Sequence, residues 1–321
     1  MKAMVLSAGL GTRLRPLTLE RAKPAIPVLG KPLVVRLVEQ LQNHGVSEFR
    51  LNLHHLPATI EEVFERAPWS RLPVSFSHEQ AILGTAGGLK ANEPFLDNGT
   101  FLMVNGDILF DFPLDDALAF HRSRQALATL VLIRQEPPYR YSPVRIDAQN
   151  RLVNFKGAGS NEPPRPEAYV FTGVHILEPA IFRYIPPKVF WEINDQVYPQ
   201  AMMQGERVFG FPVSGYWNDL GDPRRYLQCQ RDLFLSLEIS PPVCLAPDAS
   251  TDSSAVVGPY VTLGKGCRVE ADSVAENSIF WEDVQVKRGS DIRNCVVGSG
   301  VTIRNACSDR IITGSGEAAL V

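Results

Sequence analysis

Over residues 1 to about 235, apolar strand-like runs alternate with helix-like segments, and this alternation restricts the fold more than any other feature of the chain. Residues 4–6, 49–53, 74–77, 101–104 and 128–133 read as strands. Residues 32–44 carry apolar side chains at helical spacing (Leu33, Leu37, Val38, Leu41) and stop at Gly45, a favourable C-terminal cap. Residues 60–66 and 114–121 read as further helices. Alternation of this kind predicts an α/β, Rossmann-like domain with a mostly parallel sheet and helices on both faces. Ligands bind such sheets at the carboxyl ends of the strands. A glycine loop from Gly9 and the acidic Asp107 both fall at predicted strand ends.

After Leu237 the pattern changes. Pro241-Pro242 interrupts the chain, and residues 255–303 read as short β-type pieces with frequent glycine. Val257, Leu263 and Val269 are spaced by six, as are Val261, Cys267, Ser273 and Ile279 in a second phase; Val286 and Ile292 resume the step after a slip. A six-residue step suits a β-helix in which each flat side supplies one strand per coil and one inward apolar residue. The alternative is a sandwich of short strands, but turn signals recur too often for that. The predicted domains are therefore 1–238 and a short left-handed β-helix over 239–321.

Charge is near balance, with 32 Lys plus Arg against 35 Asp plus Glu and a formal net charge of −3. A general nucleic-acid binder normally carries a basic excess, so no nucleic-acid partner is expected. No apolar run is long enough to span a membrane, and Gly9 and Gly11 break the N-terminal apolar run, unlike a signal peptide. All five cysteines lie between Cys229 and Cys307, without a CxxC pair, and read as reduced structural thiols of a cytoplasmic protein. His54-His55 is the one histidine pair, and adjacent side chains diverge, so no metal role is expected there.

The glycine loop reads GLGTRLRPLT, Gly9 to Thr18. A dinucleotide turn wants a third glycine where Leu14 stands, and a P-loop wants GK followed by Ser or Thr; both are missing. What remains is Gly9 and Gly11, whose flexibility lets backbone N–H groups approach an anion, with Thr12 and Arg13 beside them. A guanidinium binds phosphate bidentately; the plain alternative is a structural turn with solvated arginines, the reading kept for Arg15. Lys23 sits beside Pro24, which stiffens the backbone, and a fixed lysine near a phosphate loop can neutralise developing charge.

AGLGTRLRPLT followed by AKPAIPVLGKPL resembles the signature of the sugar-1-phosphate nucleotidylyltransferases, with LGTAG at 83–87, VNGD at 104–107, FTGV at 171–174 and WNDLG at 217–221 in the same order. The resemblance covers nearly the whole chain, and a hexapeptide-like tail is found in many members. It implies attack of a sugar-1-phosphate oxygen on the α-phosphorus of an NTP, with pyrophosphate leaving and no covalent intermediate. Catalysis is then positioning plus charge neutralisation. The resemblance implies Arg13, Lys23, Asp107 and Asp219 as catalytic residues, with Asp107 and Asp219 holding Mg²⁺, a cation suited to hard oxygen ligands. It places Ala8, Gly9, Gly11, Thr12, Arg13, Lys23, Glu79, Gly84, Thr85 and Gly106 around the nucleotide, and Lys156, Gly173 and Asp219 around the sugar phosphate.

Glu79 tilts the base reading toward guanine, because a carboxylate only accepts and guanine offers N1–H and N2–H₂ side by side. A similar uridylyltransferase can also carry an acid here, and the plain alternative is a solvated strand-end residue. The sugar site departs from the family pattern: Asn154-Phe155-Lys156-Gly157 retains only the lysine of Glu-Lys-Pro, and Ser142-Pro143 replaces a tyrosine-glycine. GTP and mannose 1-phosphate are the preferred substrates, with glucose, heptose and amino sugars open. The alternatives are a uridylyltransferase of the same fold and a non-catalytic nucleotide-sugar-binding subunit; the latter usually lacks one of the four charged residues that this chain retains. The tail has no histidine to serve as a base and reads as an assembly or regulatory module, which predicts a homo-oligomer.

Overall fold

The computed structural model describes residues 1–320. By contact density the chain divides into two compact units that do not follow chain order: Met1–Gly9, Leu37–Pro57 and Phe64–Trp217 form one, and Leu10–Arg36, Ala58–Val63 and Asn218–Val321 the other.

The first unit is built on a seven-stranded sheet. Its strands in chain order are β1 (Lys2–Leu6), β2 (Glu48–Leu53), β3 (Val74–His78), β4 (Phe101–Asn105), β5 (Ala128–Gln135), β6 (Ala168–Leu177) and β7 (Val208–Val213). The spatial order is β7-β5-β6-β4-β1-β2-β3. β1 pairs in parallel with β2 and β4, β2 with β3, and β7 with β5; β6 alone runs antiparallel to both its neighbours. The central strands read as continuous apolar runs because both their faces are covered: Ala3, Met4 and Val5, and Leu102, Met103 and Val104, are all fully buried. The register between β5 and β6 slips at Leu130/Leu132, beside Gly173.

The helices between strands follow the expected periodicity. Helix α1 (Leu33–Asn43) buries Leu33, Leu37, Val38 and Leu41 completely. Helix α2 spans Pro57–Glu65, α3 Gly84–Ala91 and α4 Asp115–Ser123. The strand ends after Leu6 and Asn105 lie side by side, since Leu6 pairs with Asn105. The second unit, described next, contributes no strand to this sheet.

In the second unit, residues 243–313 wind as three parallel stacks of two- to four-residue strands. The stacking is consistent with a left-handed β-helix. Ser250 lies opposite Arg268, Arg268 opposite Gln285, and Gln285 opposite Thr302. The first coil is thus one residue longer than the next two, which accounts for the slip in the six-residue pattern. Val261, Leu263, Cys267, Val269, Ala275, Val286 and Ile292 face inward and are buried. The inward position at Ser273 is polar, and its hydroxyl donates to the Lys287 carbonyl at 3.0 Å, which removes the cost of burying it. The five cysteines are unbridged. Among the described residues, no helix is long and apolar enough to cross a membrane.

Candidate active site

In the sheet unit, β1 ends at Leu6, and Ser7, Ala8 and Gly9 leave its carboxyl end. The Ser7 N–H donates to Asn52 Oδ1 at 2.8 Å, and Asn52 Nδ2 donates to Glu79 Oε1 at 2.7 Å. Glu79 Oε2 accepts from the Leu83 N–H at 3.0 Å. Its carboxylate, only 6% exposed, therefore ties together the ends of three strands and the entry to α3. This rules out a solvated strand-end residue. Sequence reading missed Asn52, because nothing local marks an asparagine inside a strand as a bridge.

Gly106 packs its backbone on β1: its N–H donates to the Leu6 carbonyl at 2.9 Å, and a Cβ there would sit 2.6 Å from that oxygen. Asp107 follows in the turn before a short strand at Ile108–Phe110, and is half-buried. Gly173 has φ +87, a conformation that disfavours any side chain, and a Cβ would lie 2.7 Å from Asn105 Nδ2. The slip in β6 and this glycine thus let Asn105, beside Gly106-Asp107, approach the strand. Lys156 is exposed and pairs with Asp195 at 2.8 Å.

Gly84 and Thr85 open α3; Gly84 packs closely on Trp191 and Glu192, and the polar groups of Thr85 face the segment Trp191–Ile193. Thr85 Oγ1 donates to Glu192 Oε2 at 2.6 Å and accepts from the Ile193 N–H at 2.8 Å. The N–H groups of Ala86 and Gly87 donate to the Trp191 carbonyl at 2.9 and 3.1 Å. Glu192 therefore caps a helix whose own N-cap side chain makes no hydrogen bond. It stands 107 positions from Thr85, beyond any local pattern.

In the second unit, Gly11 adopts φ +59, ψ 31 and opens a short 3₁₀ turn at Thr12–Leu14. Thr18 Oγ1 donates to the Gly11 carbonyl at 2.9 Å. A Cβ on Gly11 would lie 2.8 Å from Thr18 Cγ2 and 3.4 Å from Lys23 Cβ. The structure thus brings Gly11 and Lys23 together, with Lys23 only 9% exposed, while Thr12, Arg13 and Arg15 are exposed. Asp219 lies in the same unit, ion-paired with Arg225 on helix α5 (Pro223–Ser236); Asp222 caps that helix through the Arg225 N–H at 2.9 Å. Sequence reading missed Arg225.

Among the described residues, no group of three or more His, Cys, Asp or Glu side chains is placed to hold a metal by itself. Mg²⁺ takes only one or two protein carboxylates and completes its shell with waters and substrate phosphates, so the donor chemistry of Asp107 and Asp219 fits it. A cation on Asp219 has to share that carboxylate with Arg225.

A mostly parallel α/β sheet binds ligands at the carboxyl ends of its strands, where the turns that follow Leu6 and Asn105 lie. Residues 2–234 match the nucleotidyl transferase family, and the chain belongs to it. Residues 239–319 match the GMPPB C-terminal domain. The chain is 32% identical to the mannose-1-phosphate guanyltransferase of Schizosaccharomyces pombe, over 84% of this chain and 74% of that protein. It is 29% identical to the UTP–glucose-1-phosphate uridylyltransferase of Synechocystis, over 100% of this chain and 95% of that protein. Its fold is similar to that of HddC from Yersinia pseudotuberculosis, solved in complex with GMP-PN, with a TM-score of 0.60 at 23% identity, covering 72% of this chain and 99% of that one.

Proposed function

We propose that this protein transfers a nucleotidyl group from an NTP, GTP by preference, to a sugar 1-phosphate, mannose 1-phosphate by preference, releasing pyrophosphate. The observation that carries the reading is the packing of Lys23 against Gly11: a largely buried lysine fixed at the glycine turn. The guanylyl and mannosyl preference is supported by the relatives named as mannose-1-phosphate guanylyltransferases and by the matching C-terminal domain. The second reading, a uridylyltransferase acting on glucose 1-phosphate, is supported by the Synechocystis relative.

In this reaction the backbone turn at Gly9–Thr12 and the Arg13 guanidinium bind the β- and γ-phosphates, and Arg13 neutralises the leaving pyrophosphate. Lys23 contacts the α-phosphate and the sugar phosphate, drawing two anions together against their repulsion. Asp107 and Asp219 are the residues that would hold Mg²⁺, which when bound supplies charge neutralisation on the phosphates. Ala8 and Gly106 bring backbone close to the nucleotide; Lys156 and Gly173 lie on the sugar side. Glu79 holds its carboxylate still by bonding Asn52 and the Leu83 N–H, and each oxygen retains acceptor capacity for the N1–H and N2–H₂ edge of guanine. Gly84 and Thr85 shape the base side by anchoring α3 on Glu192. We further propose a catalytic module at 1–238 and a β-helix module at 239–321 that mediates self-association in the cytoplasm.

The test is pyrophosphate release from a panel of NTPs and sugar 1-phosphates with Mg²⁺. Release with GTP and mannose 1-phosphate is the expected result. Silence with every pair would overturn the enzyme reading, and a preference for UTP would overturn the role given to Glu79. A monomer at micromolar concentration in light scattering would overturn the self-association.

A further inference from the structure

We propose that the β-helix holds the phosphate loop in its working shape through Arg21 and Glu282, making Arg21 a positioning residue for Lys23. The proposal rests on the function just given. It goes beyond it by assigning the C-terminal coils a part in the transfer reaction besides assembly.

The geometry is that of a built contact. Arg21 meets Glu282 as a two-pronged pair, Nη1 donating to Oε1 at 3.0 Å and Nη2 to Oε2 at 2.6 Å. Such a planar fork fixes orientation as well as distance, which a lysine cannot do. The guanidinium also lies over the Trp281 ring, 4.7 Å from its centroid. Trp281 is 1% exposed, and its indole N–H donates to the Tyr226 hydroxyl at 3.1 Å; that hydroxyl in turn donates to the Pro27 carbonyl. Glu282 accepts a further hydrogen bond from Ser299 Oγ at 2.7 Å. Burial pushes the Glu282 carboxyl up, but the Arg21 hydrogen bond and charge, with Ser299, outweigh it and hold the group below the usual range.

Two more contacts grip the same loop. Glu20 Oε1 accepts from the Gly314 N–H at 2.9 Å, and Gly298 has no side chain where a Cβ would meet Glu20 Oε2 at 2.7 Å. The loop is therefore held by the β-helix at residues 20 and 21, and its carbonyl at 27 is held by Tyr226 of α5. Lys23 lies between these anchors, two residues from Arg21. By contrast, the intrinsic restraints on this stretch are slight: a four-residue helix at Leu17–Glu20 and a three-residue turn at Lys23–Ala25. Elements this short do not hold their shape without tertiary partners.

The experiment uses the full chain and approaches the contact from both sides, with Arg21→Ala, Arg21→Lys and Glu282→Gln. Steady-state pyrophosphate release should show kcat lowered about ten-fold or more with KM for the NTP within about two-fold, as expected when only transition-state positioning is lost. Arg21→Lys should recover little, and the double variant Arg21→Ala, Glu282→Gln should be no worse than the poorer single, since the two act as one unit. Hydrogen exchange supplies a readout independent of activity: amides of Ala22, Ala25 and Ile26 should exchange at least ten-fold faster in Glu282→Gln, with β1 and β4 unchanged. Glu282→Gln is nearly isosteric, so it keeps the test alive if Arg21→Ala misfolds. Unaltered loop exchange would overturn the proposal whether or not the wild type turns over, and so would a full wild-type kcat in both Arg21→Ala and Glu282→Gln or additive losses in the double. Accelerated loop exchange in a wild-type-inactive protein would instead sustain the strut and overturn only the transferase reading.

Discussion

The two glycine-bearing loops of this protein look alike in sequence and differ in how their polar groups are engaged. GLGTR at 9–13 and LGTAGG at 83–88 each combine glycines with a threonine, and each leads into a helical turn. In the second loop the polar groups are spent internally: Thr85 is bonded to Glu192 and Ile193, the amides of Ala86 and Gly87 to the Trp191 carbonyl, and the Leu83 amide to Glu79. In the first loop, Gly9 has open space where a side chain would be, and Thr12 and Arg13 are exposed. The comparison teaches that glycine content marks close approach of backbone, and that packing decides whether the neighbouring polar side chains are consumed by the protein or left exposed.

Four measurements can break or sharpen this contrast. Arg13→Ala should cut turnover about 10²- to 10³-fold, equivalent to about 3–4 kcal/mol of barrier, without moving the melting temperature, because the side chain is exposed. A melting shift with normal kinetics would erase the distinction between the loops. Gly87→Ala should do the reverse. A Cβ there would meet the Val189 carbonyl oxygen at 2.4 Å, an overpacking expected to lower unfolding free energy by about 1–3 kcal/mol; urea denaturation that matches the wild type would show that the second loop can yield.

Acid should also act on the surroundings of the second loop. Burial lowers the His175 pKa to about 3, and its Nδ1 lies 2.5 Å from the hydroxyl of Tyr198, a residue of the same core cluster as Ala86, Leu89 and Ile193. A histidine kept neutral in the fold contributes fully above the unfolded-state value of about 6.5, and its contribution falls as pH drops from there toward 3. At pH 5.5 the loss from this residue should be on the order of 1 kcal/mol, seen as a steeper pH dependence of denaturation in the wild type than in His175→Gln; equal slopes would remove His175 from the account. The smallest effect belongs to Gly9→Ala, which should stay within about 0.5 kcal/mol of wild-type stability, since nothing lies within 4 Å of the added carbon. A large destabilisation there would mean that the first loop is packed as tightly as the second.

Much of this was legible in the chain. Periodicity placed five of the seven sheet strands, β1 to β5, and α1 within a residue or two, because 2.0 and 3.6 repeats follow from local backbone geometry, whereas β6 and β7 were not read. The six-residue step announced the β-helix for the same reason, and its slip marks the change from an eighteen-residue to a seventeen-residue coil. The roles of Arg13, Lys23, Asp107 and Asp219 came from motif order, which lists chemistry without distances. What remained hidden were the partners: Asn52 for Glu79, Glu192 for Thr85, Arg225 for Asp219 and Glu282 for Arg21.

By itself, the sequence determined the alternating elements, the repeating tail and the set of residue types able to handle phosphate, since each depends on spacing over a few residues. Only the tertiary structure decided which polar groups are consumed by the fold. Arg21 and Glu282 are 261 positions apart, and no local pattern encodes such a meeting. It exists because partial burial makes an unpaired charge costly, and the folded chain brings each of these two half-buried charges its partner.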